Sequence, residues 1–112
     1  MSERILIIED ETAIQSILVA LLTDAGYATE IAGDGLEGIT KFREKSFSLV
    51  LLDILMPKID GYTVCEMIRR ESNVPVIMLT ALDEEEAQIK AFELQADDYI
   101  TKPFSVKLVL MR

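Results

Sequence analysis

The stretch Ser48-Leu49-Val50-Leu51-Leu52-Asp53-Ile54-Leu55-Met56-Pro57 constrains the fold more than any other part of the chain. Four consecutive apolar residues run directly into one carboxylate, and a proline follows three positions after Ile54. A short apolar run bounded by turn signals is the pattern of a strand buried on both faces, as in a parallel sheet covered by helices. An acid on its last residue leaves the core at the carboxyl edge of that sheet, where open α/β folds bind ligands. For Asp53 alone, a polar strand terminus or a cap for the next turn explains the residue equally well. Its meaning depends on what else reaches that edge.

The remaining segments repeat the same alternation. Arg4 to Ile8 reads as a buried strand closed by the acids Glu9, Asp10 and Glu11. Thr12 helps start a helix whose stripe is Ile14, Ile17, Leu18, Leu21 and Leu22, and Gly26 ends it. Ala28 to Ala32 is a second strand; after Gly33-Asp34-Gly35, a helix turns Leu36, Ile39 and Phe42 inward. Asp60-Gly61 is a turn signal before a helix over Tyr62 to Glu71 that faces Val64, Cys65 and Ile68 into the core. Val76 to Leu79 is the fourth strand, ending in Thr80. The acids Asp83 to Glu86 crowd the start of a helix reaching about Leu94, where negative charge complements the helix dipole. Asp98 to Thr101 is a fifth strand closed by Lys102-Pro103, and Ser105 caps a last helix over Val106 to Arg112. That helix has room for only about two turns, which predicts a truncated helix in a chain that continues into a further domain. Strands alternating with helices predict a parallel sheet with helices on both faces.

Composition then narrows the chemistry. The 112 residues fit one domain. No run approaches a membrane span and the amino end is too short in apolar residues for a signal peptide, so a cytoplasmic location without membrane partners is expected. The net charge of −9 repels nucleic acid, so this segment is not expected to bind DNA by itself. With no histidine in the chain, Ser-His-Asp and Cys-His catalysis, histidine-ligated zinc and a phosphohistidine-carrier role are all excluded. Cys65, the only cysteine, sits in an apolar helical pattern and reads as a buried bystander.

In a parallel sheet all carboxyl ends share one edge. That places Glu9 and Asp10, Asp53, Thr80 and Lys102 on one rim, drawn from strands one, three, four and five. Two carboxylates about 5 Å apart repel by roughly 3 kcal/mol at an effective dielectric near 20. Such a cluster must raise a pKa, pair with cations, or hold a metal. Lys102 offsets one charge; the remainder calls for a hard divalent cation, and few carboxylates plus waters suit Mg²⁺ better than Ca²⁺. A carboxylate nucleophile, open metal positions, a lysine and a hydroxyl together describe phosphoryl transfer onto Asp53. A rim of ordinary salt bridges accounts for any one of these residues, but not for five at four strand ends.

At these residues the chain resembles the receiver domain of bacterial two-component response regulators, over Arg4 to Arg112. Glu9-Asp10, the Asp53 run with Met56-Pro57 and Asp60-Gly61, Thr80-Ala81, and Asp98-Tyr99 through Lys102-Pro103 fall in the family's order and spacing. Glu9 before Asp10, with Tyr99 and Lys102-Pro103-Phe104, is most similar to the winged-helix OmpR/PhoB class. The resemblance implies a flavodoxin-like strand order 2-1-3-4-5 and one receiver domain over residues 1–112. It implies Asp53 as acceptor of phosphate from a sensor histidine kinase, with Mg²⁺ (or Mn²⁺) held by Asp10, Asp53 and the backbone carbonyl of Leu55, and by Glu9 through water. Thr80, the backbone of Ala81 and Lys102 would bind the phosphoryl group, and Thr80 with Tyr99 would form the switch pair. The resemblance further implies self-dephosphorylation rather than turnover as an enzyme, and an attached, DNA-binding output domain that regulates transcription. It also implies a homodimer formed on phosphorylation through helix four, strand five and helix five, with Asp98 and Arg112 on that face. Three departures stand out. Gln95 occupies a position where the family has glycine, Gln88 and Leu108 replace an ion pair between subunits, and the final helix stops early.

A competitor from another class is Gly33-Asp34-Gly35-Leu36-Glu37-Gly38, which matches the GxGxxG of dinucleotide-binding domains, with Asp53 a further 20 residues on. It fails on charge, because Asp34 and Glu37 would face a pyrophosphate where bare amides are needed. It also follows the second strand rather than the first, and leaves Asp10, Thr80 and Lys102 unexplained. A receiver-like binding module that has lost phosphorylation would lack the acceptor or the lysine, and this chain has both. An aspartyl phosphatase would favour a second Asp where Leu55 stands.

Overall fold

The computed structural model describes residues 3–54, 56, 59–80, 84–93 and 95–101. Five strands alternate with four helices: β1 (Arg4–Ile8), α1 (Thr12–Asp24), β2 (Ala28–Ala32), α2 (Gly35–Glu44), β3 (Leu49–Asp53), α3 (Gly61–Glu71), β4 (Val76–Thr80), α4 (Glu84–Glu93) and β5 (Asp98–Thr101). The sheet order is β2-β1-β3-β4-β5 and every pairing is parallel. This is the flavodoxin-like α/β architecture. The expected final helix lies outside the described residues.

Side-chain alternation along the strands builds two cores. Leu6, Ile8, Val50, Leu52, Val76 and Met78 point to one face, where they meet Ile39 of α2 and Val64, Cys65 and Ile68 of α3. Ile5, Ile7, Leu51, Ile77 and Leu79 point to the other, against Leu18 and Leu22 of α1. A strand with both faces buried has no room for polar alternation, which is why β1 and β3 are continuous apolar runs.

Two side chains expected in the core are exposed. Ile17 is 47% exposed, because the buried line of α1 runs through Leu18 and Leu22, one residue and therefore about 100° further round the helix. Leu36 is 60% exposed. In the first turn of α2 the inward position belongs to Gly35, where an added Cβ would lie 2.7 Å from the Ile59 carbonyl oxygen and from Val64. The remaining expected inward residues of α2 and α3 are buried or packed against the core.

β1 carries β2 on one side and β3 on the other, so successive connections leave it in opposite directions. In open α/β sheets the crevice at such a switch point is the ligand site, outside the carboxyl ends of the strands. Glu9, Asp10 and Asp53 occupy those ends.

Candidate functional site

The β1–β2 ladder continues one residue beyond Ile8, with the Glu9 amide donating to the Ala32 carbonyl at 3.0 Å. Glu9 is thereby drawn into the sheet and is fully buried, while Asp10 turns out to solvent. On the neighbouring strand Asp53 is 3% exposed, and the Ile54 amide donates to the Leu79 carbonyl at 3.1 Å, extending β3 past its acid. The backbone after Asp53 is also fixed from below. The Gly61 amide donates to the Ile54 carbonyl at 2.9 Å, and a Cβ on Gly61 would lie 2.4 Å from both the Asp53 carbonyl oxygen and the Ile54 Cα. Only glycine permits that approach, so the turn signal read in the sequence is also a close-packing requirement. Asp60 caps α3 by accepting from the Thr63 amide at 2.9 Å, and so fixes where this turn ends.

One carboxylate oxygen from each of Glu9, Asp10 and Asp53 lies within 4.8 Å of the others. At that spacing each pair repels by about 3 kcal/mol for an effective dielectric near 20. Two of the three are buried, where solvent screens least. The donor set is hard oxygen only, with one exposed member open to water, and this fits a divalent cation that keeps part of its hydration shell. The acidic cluster could therefore hold a metal.

Thr80 closes β4 and pairs with Thr101, so its backbone stands at the same edge, one residue past the Asp53–Leu79 pair. Tyr99 lies in β5 opposite Met78, and Asp98 opens that strand opposite Ile77. Leu55, Ala81, Lys102 and Arg112 lie outside the described residues.

The glycine-rich turn is accounted for without a nucleotide. Asp34 accepts from the Glu37 amide at 2.8 Å, and Glu37 reaches back to accept from the Gly33 amide at 2.6 Å. The cap at Asp34 and the bond from the amide just before it occupy amides that a pyrophosphate would need. Gly38 is required by packing, since a Cβ there would lie 2.6 Å from Ile8 Cδ1. Cys65 is buried in the α3 core and burial pushes its thiol up, away from the thiolate a nucleophile needs.

Two features escaped sequence reasoning. The Gln15 side-chain amide donates to the Glu9 carbonyl at 2.6 Å, across the loop that carries the acids. At the opposite edge of the sheet, Arg69 donates to the carbonyls of Val74 (2.6 Å) and Gln95 (2.8 Å) and to the Asp97 carboxylate (2.7 Å). Each ties one element to another through main-chain carbonyls, which leave no residue-type pattern to read.

The sequence matches the response regulator receiver domain family across residues 5–111. It is 50% identical over 105 residues to a probable transcriptional regulator, ycf27, of Pyropia yezoensis, covering 94% of this chain and 43% of that protein. It is 42% identical over 112 residues to the regulatory protein VanRB of Enterococcus faecalis, covering all of this chain and 51% of that one. The chain thus spans about half, or less, of these relatives' length. Among solved structures, DrrB of Thermotoga maritima, an OmpR/PhoB homologue, superposes with a TM-score of 0.91 at 33% identity, covering all of this chain and 51% of DrrB. The chemotaxis protein CheY4 of Vibrio cholerae superposes with a TM-score of 0.92 at 27% identity, covering 99% of this chain and 95% of that one. No helix among the described residues is long and apolar enough to cross a membrane.

Proposed function

The chain belongs to the response regulator receiver domain family, and from that membership we propose that it is a Mg²⁺-dependent phosphorylation switch in which Asp53 is the phosphoacceptor. The observation that carries this reading is the meeting of Glu9, Asp10 and Asp53 carboxylate oxygens within 4.8 Å at the switch point of the sheet. Asp10 and Asp53, with the Leu55 carbonyl and with Glu9 acting through water, are the residues that would hold Mg²⁺. When bound, the ion neutralises negative oxygens of the incoming group.

An Asp53 carboxylate oxygen attacks phosphorus on the phosphohistidine of a sensor kinase. The O–P bond forms as the P–N bond breaks, and imidazole departs. Lys102, Thr80 and the Ala81 amide would bind the transferred group, whose added charge would draw the Thr80 hydroxyl inward with Tyr99 following. The altered α4–β5 face then controls an output domain beyond residue 112, one that regulates transcription in the cytoplasm. Asp98 and Arg112 contribute to a homodimer on that face. The acyl phosphate is lost by the domain's own hydrolysis.

Incubation with acetyl phosphate and Mg²⁺, followed by intact-mass spectrometry, tests the acceptor. The expected result is one added phosphoryl group on the native chain and none on Asp53→Asn. Undiminished labelling of that variant would overturn the assignment.

A further inference from the structure

We propose that Gln15 is a positioning residue for the acidic site, which it serves by holding the main-chain carbonyls on both sides of Asp10; this rests on the metal-binding reading above. Its backbone amide donates to the Glu11 carbonyl at 3.0 Å, closing the first turn of α1. Its side-chain amide reaches past that turn and donates to the Glu9 carbonyl at 2.6 Å. Glu9 C=O belongs to the peptide group that joins Glu9 to Asp10, so this bond fixes the plane from which both acids project. The other end of Glu9 is already held by the Ala32 carbonyl. The two acids therefore sit on a peptide that is restrained from the sheet and from the helix at once.

The local sequence gives this bond further weight. The residue at the N-cap position of α1, Glu11, makes no side-chain capping bond to the helix. The Gln15 side chain is a described tie between the body of α1 and the end of β1, and it lies half-buried, where a hydrogen bond is less exposed to competition from water.

The chemistry of the cation makes the role testable. Mg²⁺ demands near-ideal octahedral geometry, whereas Ca²⁺ accepts variable coordination. A loosened Glu9–Asp10 peptide therefore harms Mg²⁺ binding more than Ca²⁺ binding. A merely structural residue would weaken both ions alike, or neither.

The test is calorimetric titration of Mg²⁺ and of Ca²⁺ into the native chain, Gln15→Met and Gln15→Asn, with a thermal unfolding scan of each. Gln15→Met keeps the length and removes the donor; Gln15→Asn keeps the donor and falls a methylene short. In both variants the Mg²⁺ Kd is expected to rise roughly tenfold, the scale of losing a partner just outside the ligand set. The Ca²⁺ Kd is expected to rise less than about threefold, because that ion tolerates the change. An unchanged Mg²⁺-to-Ca²⁺ ratio in a folded variant overturns the proposal, whether both affinities hold or both fall. Should Gln15→Met fail to fold, Gln15→Asn carries the same decision. Failure of the native chain to bind either ion sinks the metal-site reading itself, a separate result.

Discussion

The two edges of the sheet treat aspartate in opposite ways. At the amino edge, Asp97 is placed between a cation and an amide. Its carboxylate accepts from Arg69 at 2.7 Å and from the Val76 amide at 2.7 Å, while its own amide donates to the Val76 carbonyl at 2.9 Å. At the carboxyl edge, Asp53 and Asp10 are brought within 4.8 Å of each other and of Glu9. One acid meets a guanidinium and locks a loop. The others crowd three like charges into one place, an arrangement that suits a site where a cation or a phosphoryl group is to be received. Acidity alone therefore says little about role; the sign of the nearest charges says much more.

The sharpest way to break this contrast is to cut the lock. Arg69 has 13% side-chain exposure and bridges α3 to the segments before β4 and before β5. Arg69→Leu strands the Val74 and Gln95 carbonyls and leaves Asp97 without its cation. The expected loss is about 3 kcal/mol in urea unfolding. A loss below about 0.5 kcal/mol, the scale of an ordinary surface change, would show that the clamp is incidental. At the other edge the sign should reverse. Asp53→Asn keeps the side-chain shape and removes one of three like charges, so without divalent ions it should stabilise the domain by about 1 kcal/mol. Added Mg²⁺ should then raise the melting temperature of the native chain more than that of the variant, since stabilisation follows the bound fraction. A variant less stable than the native chain in the absence of metal would mean that the acids are held by compensating partners, and the contrast would fail.

How much of this the sequence displayed follows from the range of the forces involved. The unbroken apolar run Val50 to Leu52 and the helical spacing of Val64, Cys65 and Ile68 each specify burial directly. The rim was legible because a parallel sheet sends every strand's carboxyl end to one edge, so Asp10 and Asp53 could be placed together without coordinates. Ile17 and Leu36 misled because each lies on the margin of its helix's apolar stripe, where one residue's rotation decides between core and solvent. Gln15 and Arg69 were invisible for another reason. The Gln15 partner and two of the three Arg69 partners are backbone carbonyls, which every residue carries, so no residue type marks those pairings. The glycine-rich turn shows the converse, with Gly35 and Gly38 set by packing rather than by a ligand.

The smallest expected effect tests whether the amino edge carries strain in its lock. Gln95 has φ 58°, the left-handed region that favours glycine, and its carbonyl is one of the three acceptors held by Arg69. A non-glycine residue there costs roughly 1 kcal/mol in the folded state. Gln95→Gly removes that cost and keeps the carbonyl, but it also enlarges the unfolded ensemble, so the net gain should be only about 0.5 kcal/mol. The informative measurement is the double variant with Arg69→Leu. If the clamp imposes the left-handed turn, the glycine's gain should shrink once Arg69 is gone, because the freed loop can relax to negative φ by itself. An unchanged gain would place the origin of the left-handed residue in the turn's own geometry, and the lock would then merely recognise a shape that the chain adopts without it.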